Sequence, residues 1–100
     1  MPILKPVIWI GSSRKDFREF PDLVKEHMGY ALFIAQQGGK HTNAKPLRGY
    51  TSAGVIEIVS DHRGGTFRMV YTVRLAGVVY VLPRVSKKVE DRTRNAKVRN

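Results

Sequence analysis

The side chains best suited to chemistry in this 100-residue chain are cations. Arg68 and Arg74 lie six residues apart in the segment TFRMVYTVR, so on an extended strand they share one face. Lys40, His41, Lys45 and Arg48 crowd the stretch before Tyr50, and Arg84, Lys87 and Lys88 follow the last apolar run. A guanidinium stays charged and can hold two phosphate oxygens at once, while a lysine whose pKa is lowered by neighbouring cations can trade a proton. Such a set suits a phosphodiester. Cleavage of RNA through its own 2′-OH needs positioning, a proton acceptor for that hydroxyl, a donor for the leaving 5′-oxygen, and cations for the charge on the phosphorane. The same residues would equally hold a phosphate without cutting it, and residue types alone leave both readings open.

Other chemistries find little support. Neither G-x-G-x-x-G nor a Walker loop occurs, and the doublets Gly38-Gly39 and Gly64-Gly65 read as turns, so no nucleotide cofactor is expected. His27, His41 and His62 lack metal-ligand spacing, and there is no cysteine to complete a tetrahedral site, so no metal is expected either. No serine sits in a G-x-S-x-G setting, and paired carboxylates are scarce. The absence of cysteine fits a reducing compartment, and the N-terminal run VIWI is far too short for a signal core or a membrane span, which points to an unprocessed cytoplasmic protein without a membrane partner.

Eighteen Lys and Arg against eight Asp and Glu give a net charge of +10, which makes a polyanion the default partner. Half of that excess falls in residues 83–100, where seven basic residues meet only Glu90 and Asp91. This stretch reads either as a phosphate-binding arm or as a solvated, partly disordered tail.

The elements that must position these cations follow from periodicity. Residues 7–10 form a short buried strand ended by Gly11-Ser12-Ser13, with Ser13 placed to cap a first helix that carries Phe17 and Phe20. Pro21 suits the first turn of a second helix, along which Val24, Met28, Ala31, Leu32 and Ala35 recur on one face until Gln37-Gly38-Gly39. Residues 39–54 read as a long loop, and strands are expected over residues 55–59, 66–75 and 78–85, joined by hairpin connections. Phe67, Met69, Tyr71 and Val73 fall on a core face, and Arg68, Val70, Thr72 and Arg74 on an opposite, cationic one. With 42% apolar residues there is enough surface for one core, so residues 1–85 form a single α+β domain and residues 86–100 a basic C-terminal tail, helical or disordered.

The blocks KPVIWIGSSRKDFREFP, GYALFIAQQGGKH, AKPLRGY, VIEIVSDH and TFRMVYTVR, in this order, resemble the phage-derived RelE/HigB-like toxin family. The resemblance covers about residues 5–82. It implies a curved, mainly antiparallel four-stranded sheet with two N-terminal helices on one face. It also implies an endoribonuclease toxin of a type II toxin–antitoxin system, acting on mRNA and paired with a DNA-binding antitoxin. Arg68 matches the strand arginine that steadies the scissile phosphate in that family, while Arg74 and the AKPLRGY loop match positions that track RNA backbone. Lys87-Lys88 matches a lysine pair, here given the role of proton shuttle. Past Leu82 the chain departs, since Pro83, Arg84, Val85 and Ser86 stand where relatives carry a histidine and an aromatic residue. That departure favours the alternative of a module that binds RNA or an antitoxin without cutting, and a DNA-binding co-repressor subunit is a third reading.

Overall fold

The computed structural model describes residues 3–50, 54–75, 77–83 and 86–89. Along these run β1 (Val7–Trp9), α1 (Ser13–Arg18), α2 (Asp22–Gln36), β2 (Lys45–Pro46), β3 (Val55–His62), β4 (Gly65–Thr72), β5 (Val79–Val81) and β6 (Ser86–Val89). β3 and β4 pair antiparallel over their full length, from Val55↔Thr72 to His62↔Gly65, around the two-residue turn Arg63-Gly64. Both turn residues have positive φ (49° and 79°), the left-handed conformation whose twist matches that of the flanking strands.

The helix spacing is realised residue for residue: Val24, Met28, Ala31, Leu32 and Ala35 are the buried positions of α2. They pack on Ile56 and Ile58 of β3, Phe67, Met69 and Tyr71 of β4, and Val79 and Val81 of β5. α1 is held by a run of rings, Trp9–Phe17–Phe20–Phe67, with centroids 5.3, 6.0 and 4.9 Å apart. Such pairs contribute about 0.5–1.5 kcal/mol each beyond their buried area. Both helices therefore cover one face of the sheet. Ser13 does not cap α1; it is the first helical residue, fully buried, and its hydroxyl donates to the Val81 carbonyl at 3.2 Å. Pro21 likewise stands just before α2 rather than inside it.

The α+β class and the two-helix layer stand as expected, but the sheet is not a four-stranded, antiparallel one. Its order is β1-β5-β4-β3-β2, with β1 parallel to β5 and the other pairs antiparallel. β6 also pairs with β4, from Gly65↔Val89 to Arg68↔Ser86. Because β3 occupies one edge of β4 throughout, β5 and β6 share the other, making a mixed sheet five strands wide. The row is broken at Pro83, which has no N–H to offer a ladder. The two added segments leave little periodic signal, since β2 is two residues long and the four residues of β6 hold a Lys-Lys pair. Residues 86–89, expected within the tail, thus begin as sheet; residues 90–100 and Arg84 lie outside the described residues. Among the described residues no helix is long and apolar enough to cross a membrane.

Candidate functional site

Strand alternation turns Thr66, Arg68, Val70 and Thr72 away from the helices, onto the face opposite the core. Of these four, Val70 and Thr72 are buried and Arg68 is exposed; Arg74, also exposed, follows two residues past the end of β4. Arg68 is not alone. Its Nε lies 2.9 Å from Oε2 of Glu57 on β3, with the two side chains 48% and 23% exposed. Register explains the contact: Val59 is opposite Arg68 and Glu57 opposite Val70, so the pair is a diagonal cross-strand one, within reach of long side chains. On the other side of β3, Lys45 is the partner of Glu57 in the β2–β3 register. Glu57 thus has one cation, Arg68, in contact and a second, Lys45, as its register partner on the other neighbouring strand. On the far edge of β4, Ser86 is registered with Arg68, Lys87 with Phe67 and Lys88 with Thr66.

Glu57 is the residue that a search for paired carboxylates overlooks. Its signal is alternation: in VIEIV it falls between Ile56 and Ile58, both buried, so it must face away from the core. A carboxylate and a guanidinium held together on an open sheet face can accept a proton and bind a phosphoryl oxygen within one small area. The rest of the face is set by local geometry. Thr66 donates to the Asp61 carboxylate at 2.9 Å. Residues 47–50 form a turn closed by the Tyr50 N–H donating to the Leu47 carbonyl at 2.9 Å, with Gly49 at φ 88° supplying the positive φ of its third position. Arg48 is exposed at the tip. The Leu47 N–H donates in turn to the Val55 carbonyl, which ties the turn to β3. Gly54, at φ 72°, leaves room for the stem of Arg74, with which a Cβ at that position would collide.

Two of the expected phosphate-contact residues, Lys40 and His41, follow the end of α2. Lys40 is exposed just after α2, and His41 turns to the helix layer, its ring edge-on to His27 and Tyr30 with centroids 5.3 and 5.8 Å away. His41 Nδ1 accepts the Asn43 N–H at 3.0 Å. Burial, and then the neighbouring His41, lower the pKa of His27. Loop composition reveals none of this, because it does not say which face of the sheet a loop crosses. Tyr71 is in the core as alternation requires, yet its hydroxyl has no hydrogen-bond partner among the described residues, and burial raises its pKa to about 12. Also among the described residues, no three His, Asp or Glu side chains gather as a metal site would need.

No curated protein and no solved structure matches the chain. The family model described as Phage derived protein Gp49-like (DUF891) matches residues 15–99. The match begins within α1, takes in α2 and every strand except β1, and continues through residues 83–99, where the RelE-like resemblance departs. On that evidence the chain belongs to the Gp49-like family of phage-derived proteins.

Proposed function

We propose that this protein is the RNA-cleaving toxin of a type II toxin–antitoxin pair, working in the cytoplasm by metal-independent transesterification. The observation that carries the reading is the Arg68–Glu57 contact on the sheet face left open by the helices. Glu57 would take the proton of a 2′-OH, whose oxygen attacks the adjacent phosphorus. Arg68, which meets Glu57 through Nε and has further N–H donors on the same group, would hold the phosphoryl oxygens as charge builds. The 5′-oxygen then leaves and takes up a proton, for which Lys88, registered with Thr66 on the Arg68 face, is the proposed donor rather than Lys87, which is registered with Phe67 of the core face. The products are a 2′,3′-cyclic phosphate and a 5′-OH. Lys45, Arg48 and Arg74 would guide the RNA backbone, and a DNA-binding antitoxin would restrain the toxin by covering this face. Membership of a phage-derived family and the resemblance to RelE/HigB-like toxins support the same reading.

The Arg68–Glu57 contact also favours a second reading, because an arginine already compensated by a carboxylate is an ordinary structural pair. In that case the protein binds RNA or an antitoxin and cuts nothing. Tightly controlled expression with and without the neighbouring gene distinguishes the two. A toxin arrests growth and leaves new 5′-OH ends in cellular RNA, and the purified protein produces the same ends in the presence of EDTA. RNA binding with no new ends would establish the binding module and refute the enzyme.

A further inference from the structure

We propose that an apolar slot beside the Arg68–Glu57 pair receives one unstacked nucleobase of the bound RNA, with Tyr50 as its stacking wall. The inference rests on the RNA reading above and adds where the base next to the reacting phosphate goes. The slot is lined by Leu47, Tyr50, Val55, Leu82 and Pro83 and has a volume of about 240 Å³. Its floor belongs to the same face as the charged pair. Val55 lies two residues from Glu57 along β3, about 7 Å of strand, and the Leu82 N–H donates to the carbonyl of Val70, the register partner of Glu57. A nucleotide whose phosphate rests at Arg68 therefore has this slot within reach of its base.

The slot's chemistry favours a base over an apolar side chain of a protein partner. Its walls are almost entirely apolar, while its surroundings are cationic: Arg48 at the tip of the turn that carries Leu47 and Tyr50, Lys45 on the adjoining strand, and Arg68 beyond Glu57. The complementary ligand has a flat apolar face on an anionic backbone, which describes a nucleotide of a single strand. Tyr50 is half exposed, which leaves part of its ring available to stack on a base. With so few polar groups in the walls, the slot would read stacking and size rather than hydrogen-bond pattern, so the preference among bases would be relaxed.

The test uses the full chain and a fluorescent RNA octamer with 2′-O-methyl groups throughout, which cannot be cut by transesterification. Tyr50→Ala is expected to weaken binding by about tenfold or more, the scale of one lost base–aromatic stack. Tyr50→Phe should retain wild-type affinity, and the salt dependence of Tyr50→Ala should match wild type because no phosphate contact is lost. If Tyr50→Ala binds like wild type while Arg48→Ala or Lys45→Ala weakens binding, the RNA reading survives and the base slot is refuted; this is also the result if a protein side chain occupies it. A wild-type protein that binds no RNA at low salt refutes both. Should Tyr50→Ala not fold, a 4-thiouridine octamer crosslinked to wild type decides: adducts on the peptide containing Tyr50 support the slot, and adducts confined to other peptides overturn it.

Discussion

Replacing Glu57 by Gln keeps the shape of the side chain and removes its charge, so it separates what the carboxylate does for folding, for binding and for cleavage. The Arg68–Glu57 pair is partly exposed, at 48% and 23%, and pairs in such settings contribute only about 0–1 kcal/mol. In a domain of this size the melting temperature should thus fall by no more than about 4–8 °C. Binding should move the other way. With its partner neutral, Arg68 offers one more uncompensated cation, and each phosphate neutralised on a single strand adds about 0.7 to the slope of log affinity against log salt. An uncleavable RNA should then bind more tightly at low salt, with a slope steeper by roughly that amount. Cleavage, measured in single turnover with saturating protein, should drop by about 100- to 10,000-fold, the usual contribution of a positioned general base. A variant that binds RNA more tightly and cuts at the wild-type rate would show that Glu57 is not the proton acceptor. One that neither binds better nor cuts more slowly would reduce the pair to a structural contact.

Other expectations concern stability. Tyr71→Phe removes a buried hydroxyl that has no partner among the described residues, so it should stabilise the fold by about 1–3 kcal/mol in denaturant titration; a loss of stability would reveal a partner for that oxygen. His27 has a lowered pKa in the fold, so protons bind the unfolded chain more readily. Its contribution is present above the unfolded value of about 6.5 and is lost as pH falls through the folded pKa, a decline that His27→Gln should flatten in melting temperatures measured between pH 7.5 and 5. Deleting residues 86–100 takes away the β6 ladder on Gly65–Arg68 and should lower the melting temperature, whereas a truncation with an unchanged melt would mean that β6 adds nothing.

What could be read from the sequence was whatever repeats along it. The five buried residues of α2 share one helical stripe, and Tyr71 and Arg68 separate to opposite faces because a strand has period two. Features created by register were not legible. Glu57 and Arg68 are eleven residues apart, and only the pairing of β3 with β4 makes them diagonal neighbours. The hydroxyl of Ser13 belongs to the carbonyl of Val81, a bond between opposite ends of the domain that outweighs the capping preference of a serine at a helix start. His41 went to α2 for a similar reason, since loop composition records its charge but not the side from which it docks.

The parallel pairing of β1 with β5 joins Val7 to Val79, so β1 waits for a strand far along the chain. The hairpin β3–β4, by contrast, closes over a two-residue turn and already holds both Glu57 and Arg68. Local contacts of this kind form in microseconds, whereas long-range closure dominates the folding time. On this topology the charged pair is expected to assemble early and become rigid late. During synthesis, the sheet that stiffens the pair cannot be completed until β6, which ends at Val89, has emerged. Any segment that captures β1 or β5 before they meet would hold the hairpin outside its finished framework.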